Sequence, residues 1–152
     1  MDDKMLMKEL NKILTLEHGH LGMYEKYMDY SDKEIRRTFR RFMEVEIEHI
    51  EKLKTVIRNL GDKPSLIIEG GDIIGRLFNI TINVADERGM LKAYSFIEQK
   101  AHAGYTDFVS KLENDSEKRN QFIAEIAASN MLEAKLMQLW LDDKLKNMHV
   151  QA

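Results

Sequence analysis

The sequence predicts an all-α protein, a four-helix bundle with a long, partly helical crossover between its second and third helices. Three observations carry this. Proline occurs once and glycine eight times in 152 residues, so long uninterrupted helices are expected. Apolar residues recur at spacings of three and four in four separate stretches. No stretch alternates apolar and polar residues as a half-buried strand does.

The first helix is predicted from about Lys4 to Tyr30, on the face of Leu6, Leu10, Ile13, Leu14, Leu21, Tyr24 and Met28. Ser31-Asp32-Lys33-Glu34 reads as a capping box that starts the second helix. That helix is apolar at Ile35, Phe39, Phe42, Ile50, Leu53, Ile57 and Leu60, and Gly61 suits the position just past its end. Pro64 and Gly70-Gly71 then break the pattern, and Asp72 is read as the cap of a short apolar helix reaching Val84. The third helix is predicted from about Asp86 to Glu113, with Leu91, Tyr94, Ala101, Tyr105, Val109 and Leu112 inward. After the polar break Asn114-Asp115-Ser116, the fourth runs to about Asn147 on Ile123, Ile126, Met137, Trp140 and Leu141. The chain reads as one domain over residues 1–152.

Composition narrows the function. A net charge of -3 argues against a nucleic-acid binder that works by charge. The absence of cysteine excludes disulfides, thiolate metal sites and a four-cysteine iron centre in this chain. The opening MDDKMLMKEL has no signal-peptide core, and no uncharged stretch is long enough to span a bilayer, so a cytoplasmic protein is expected.

The chemistry lies in the acids of the apolar faces. With the second helix turned at about 100° per residue, Phe39, Phe42, Ile50, Leu53, Ile57 and Leu60 fall within about 40° of Glu46, and His49 within about 60°. Glu44, Glu48 and Glu51 fall off that stripe. Glu17 is centred on the first helix's stripe and Glu98 on the third's, while Asn130 and Glu133 share the face of Ile126 and Met137. Glu17 and Glu46 lie roughly 20 Å from the first loop, and Glu98, Asn130 and Glu133 roughly 21 to 25 Å from the second. Each hairpin therefore levels its acids. Glu125 sits higher and off the stripe, and reads as a surface residue. One such Glu–His pair alone would be read as a buried ion pair. Several levelled carboxylates in a dry core repel unless cations join them, which points to a pair of divalent metals.

The stretches EHGHLGMY (17–24), EIEHIEKL (46–53) and IEQKAHAGYTDF (97–108), with KPS and the apolar run after it, resemble the ferritin-like di-iron carboxylate superfamily. The likeness is most nearly to the demethoxyubiquinone hydroxylase family, with rubrerythrins more distant, and it covers nearly the whole chain. It implies Glu17 and Glu98 as single-carboxylate ligands and Glu46 with His49 as a Glu-x-x-His motif. It also implies two bound metal ions, iron first and manganese as the alternative, without haem. The expected activity is a non-haem di-iron oxidoreductase that activates oxygen or peroxide, in its sharper form a hydroxylase. Iron storage, or a degenerate bundle acting as a binding module, are the alternatives.

The fourth helix departs from that pattern, with Asn130-Met131-Leu132-Glu133 where a second Glu-x-x-His belongs. Asn130 still offers a carbonyl oxygen, and Glu133 is expected to hold the metals together with Glu17, Glu46, His49 and Glu98. His20, three residues after Glu17, is a candidate for the missing imidazole or a partner of Glu133; a core histidine is the alternative. His102, one turn past Glu98, is read the same way, with a supporting role preferred. His18 reads as surface, and Tyr24 and Tyr105 as core aromatics. Arg36, Arg37, Arg40 and Arg41 read as a solvated basic face, or in the sharper form as an anion or membrane-surface contact. Expected partners are a second copy or more of the chain, an external electron donor and a small-molecule substrate, with no nucleic acid.

Overall fold

The structure is a computed structural model, and it describes residues 1–26, 32–64 and 86–150. These form four helices: α1 (Asp3–Lys26), α2 (Lys33–Asn59), α3 (Glu87–Glu113) and α4 (Lys118–Val150). Among the described residues there is no strand. The predicted helix over 72–84, and Met28 and Tyr30 at the end of the first predicted helix, lie outside the described residues.

Local signals set the helix ends. The α2 N-cap is Asp32 rather than Ser31: its side chain accepts a hydrogen bond from the Ile35 amide at 3.0 Å. Asp86 caps α3 in the same way by accepting from the Arg88 amide. The end of α2 is closed by Gly61, at φ 84°. Its amide bonds the Arg58 carbonyl at 2.9 Å, and the Asp62 amide bonds that of Ile57 at 3.3 Å. This paired pattern needs a left-handed residue, and glycine takes that conformation without steric cost. The fourth helix runs on past Asn147 to Val150.

α1 packs against α2 and α3 against α4, and weaker contacts join α2 to α4 and α1 to α3. Lys144, near the end of α4, reaches Asp32 and Glu34 at the start of α2 at 3.5 and 2.7 Å. At the start of α3, burial raises the Glu87 carboxyl, with the nearby Asp32 charge adding to the shift and Lys144 opposing it. The starts of α2 and α3 therefore share one end of the bundle.

The core is in two parts. One cluster gathers Leu6, Leu10, Leu53, Ile57, Phe108, Leu112 and Ile123. The other gathers Met23, Tyr24, Phe39, Phe42, Tyr94, Met137 and Leu141. Tyr24 stands edge-on to Phe39, Phe42 and Tyr94, with centroids 5.1 to 5.4 Å apart. Between the clusters, every helix turns a polar side chain inward. No described helix is long and apolar enough to cross a membrane.

A Cβ at Gly61 would meet no atom within 4 Å, so its substitution tests backbone strain alone. Gly61→Ala is expected to lower stability by about 1–2 kcal/mol, read from urea unfolding, with the helix content unchanged.

Candidate metal centre

The layer between the two apolar clusters is made of Glu17 and His20 from α1, Glu46 and His49 from α2, Glu98 from α3 and Asn130 from α4. None of the six is more than 2% exposed. Helical period puts them there: each lies on the stripe that faces the bundle axis, so folding the apolar faces inward buries them too.

Their polar atoms converge. His20 Nδ1 lies 3.3 Å from Glu17 Oε2 and 3.7 Å from Glu46 Oε1. His49 Nδ1 lies 3.4 Å from Glu17 Oε1 and 3.8 Å from Glu46 Oε2. Two groups have ligand atoms within 4.8 Å of one another, Glu17–Glu46–His49 and His20–Glu46–Glu98. Glu46 belongs to both.

Two tyrosines brace the carboxylates from across the bundle. Tyr24, seven residues after Glu17, donates to Glu98 Oε1 at 2.5 Å. Tyr105, seven residues after Glu98, donates to Glu17 Oε1. Each hairpin's tyrosine thus holds the other hairpin's acid. Asn130 Nδ2 in turn donates to the Tyr105 hydroxyl at 3.2 Å. Burial, with the charge of the acid each one faces, pushes both phenols well above their ordinary range, so both stay protonated donors.

These bonds leave much unsatisfied. His20 Nε2, both oxygens of Glu46, both ring nitrogens of His49, Glu98 Oε2 and Asn130 Oδ1 are buried and have no hydrogen-bond partner in the protein. A buried polar atom without a partner costs about 1–3 kcal/mol. The atoms are carboxylate and carbonyl oxygens and imidazole nitrogens, a donor set for divalent cations of the first transition row. Such a set fits a metal ion, and these buried glutamates and histidines could hold one.

Of the residues singled out in the sequence, Glu17, His20, Glu46, His49, Glu98 and Asn130 meet in this layer. Glu133 stands at its edge, with a side chain 30% exposed and Oε1 3.5 Å from His49 Nε2 and 3.7 Å from Lys52 Nζ. The imidazole beside Glu133 is therefore that of His49; His20 faces Glu17 and Glu46 instead. His102 is half-buried and belongs to neither group, His18 is half-buried, and Glu125 is exposed. Of the arginine cluster, Arg37, Arg40 and Arg41 are exposed and Arg36 is half-buried. The tyrosine bonds were not read from the sequence, although the matched seven-residue spacing was visible in it.

Protonation in the metal-free layer follows from burial and neighbours. Burial pushes Glu17 upward, but His20, His49 and Glu46 together hold it well below the usual carboxylate range. Burial and the Glu17 charge push Glu46 well above it, and burial raises Glu98 against the pull of His20. Burial lowers His20 and His49, yet the facing glutamates, Glu17 foremost, raise both above 6.5.

The sign of the pH dependence follows. Glu46 and Glu98 ionise more readily unfolded, so their effect on stability worsens as pH rises from 4.5 through their folded values. His20 and His49 contribute stability that is complete below 6.5 and lost as pH rises through theirs. Glu17 acts oppositely, but only in acid, where its contribution is lost as pH falls. The metal-free protein is therefore expected to melt at lower temperature at about pH 8 than at about pH 6. A saturating divalent cation, which needs ionised carboxylates and neutral imidazoles, should reduce or reverse that difference. Thermal denaturation with chelator and with cation measures both.

No protein-family model matches this chain, and no curated protein matches it significantly in sequence.

Proposed function

We propose that this chain is a ferritin-like bundle that holds two divalent metal ions, iron in the first instance, and is an oxidoreductase acting on oxygen or peroxide. The observation that carries this reading is the set of unpartnered oxygens and nitrogens converging on one layer. The two ligand groups that share Glu46 support a paired site to which that carboxylate would contribute on both sides. Charge supports it as well: Glu17, Glu46 and Glu98 carry three negative charges when ionised, which divalent cations in the layer would offset.

In this reading Glu17, Glu46 and His49 would hold one ion, and His20, Glu46 and Glu98 would hold the other. His20 supplies from α1 the imidazole that α4 lacks. Bound iron would supply the electrons and the Lewis acidity for oxygen or peroxide reduction. The protein's part is geometric and electrostatic. Tyr24 fixes the rotamer of Glu98 by its hydrogen bond, and Tyr105 does the same for Glu17. Asn130 anchors Tyr105 and turns its unpartnered Oδ1 into the layer as a neutral donor. The apolar clusters on either side exclude water and strengthen every charge interaction between them.

Hydroxylation of an organic substrate, with electrons from a separate reductase, is the sharper form of this function. A second reading is favoured by α4 alone. Its neutral Asn130 and half-exposed Glu133 suit a bundle that holds one ion, or none, and serves as a binding module.

Anaerobic loading of the metal-free protein with ferrous iron, followed by elemental analysis, separates the readings. Two irons per chain are expected. Glu98→Ala should retain one and Glu46→Ala should lose both, since Glu46 is shared. One iron or none in the unaltered protein would favour the binding module. A particle far larger than a small oligomer on size exclusion would favour storage.

A further inference from the structure

The six inner groups are sealed, so a cation must reach them past some side chain that solvent also touches. The geometry points to Glu133 and His49: we propose that Glu133 Oε1 and His49 Nε2 form an outer cation position, where a divalent ion is captured before it passes to the buried layer. This rests on the reading above that the layer takes divalent cations, and it gives Glu133 a role in uptake rather than in the final site.

The ring of His49 faces two ways. Its Nδ1 looks inward, 3.4 Å from Glu17 and 3.8 Å from Glu46. Its Nε2 looks outward, 3.5 Å from Glu133 Oε1, and is buried with no hydrogen-bond partner. Two ligand atoms 3.5 Å apart can both sit about 2.1 Å from one cation, at an angle of about 110°, which suits tetrahedral coordination. Glu133 is 30% exposed, so a hydrated ion can reach its carboxylate while the nitrogen beneath stays dry. The outer and inner positions thus share a single imidazole.

Lys52 guards this position. Its ammonium lies 3.7 Å from the same Glu133 oxygen and is 39% exposed, free to swing toward water. It also lines a groove of about 510 Å³ between α2 and α4, with Glu48, Glu51, Val56, Phe122 and Ile126. Glu48 and Glu51 are exposed acids, and although Glu51 pairs with Lys54 at 3.0 Å, the field of Glu48 draws cations to the groove. The bound ammonium repels those cations until it leaves.

The test is the rate of metal uptake. The metal-free full chain is mixed with cobalt(II) in a stopped-flow instrument, and the visible absorption of the bound ion is followed. Glu133→Gln should slow uptake roughly tenfold, with final stoichiometry and spectrum unchanged. Lys52→Met should speed it, and Glu125→Gln, an exposed acid on the same helix, should leave it unaltered. An unchanged rate in Glu133→Gln would overturn the outer position while leaving the metal site standing. Lost stoichiometry or an altered final spectrum in that variant would make Glu133 a ligand of the buried site and overturn it too. Lys52→Met at or below the unaltered rate would overturn the guard. Failure of the unaltered chain to take up cobalt or iron would overturn the two-metal reading itself, and this inference with it.

Discussion

The fold depends on one constraint: three carboxylates and two imidazoles occupy the middle of a dry core. Burying an ionised acid without a partner costs several kcal/mol, and acids placed side by side repel. The protein manages part of this internally. Glu17 draws two histidines and a tyrosine and ionises readily, whereas Glu46, with no donor of its own, is driven toward its neutral form. The layer thus divides its burden unevenly, with one carboxylate held ionised and another driven toward its neutral form. The apolar clusters above and below must supply the stability that it does not, which accounts for the dense aromatic packing of Tyr24, Phe39, Phe42 and Tyr94 at one end.

The tyrosines tie this layer to the topology. Tyr24 and Glu98 lie on different hairpins, as do Tyr105 and Glu17, so each bond crosses between halves that otherwise meet through weaker contacts. A hydrogen bond to a charged group contributes more than a neutral one, roughly 1.5–3 kcal/mol. The same bonds that orient the acids therefore also set how the two hairpins register. Geometry of the layer and docking of the halves are one problem in this molecule, solved by two phenols.

Much of this was legible because helices are periodic. Glu17, Glu46, His49 and Glu98 could be put on inward faces by counting about 100° per residue, and at one level by counting from the loops. Asn130 followed by the same count and is fully buried. What the count misses depends on neighbours across the bundle. Periodicity gives the direction in which Tyr24 and Tyr105 point, but not which acid stands opposite. It placed Glu133 on the inward face, while the packing of α2 against α4 leaves that side chain at the edge, between His49 and Lys52. The start of α2 was read one residue early, at Ser31, because serine and aspartate are near-equal caps and only the backbone decides between them.

The departure in α4 then becomes coherent. A symmetric site would take one imidazole from each hairpin, from α2 and α4. Here both imidazoles come from the α1–α2 hairpin, and its two Glu-x-x-His segments face each other across Glu17 and Glu46. With the second imidazole on α1, α4 brings only the neutral Asn130 Oδ1 into the layer. Its inward position can then be a neutral asparagine that bonds Tyr105, and the acid one turn on stands beside Lys52. The layer keeps its donors while one wall loses charge. On the α2–α4 side the layer is then bordered by Glu133, whose side chain is 30% exposed.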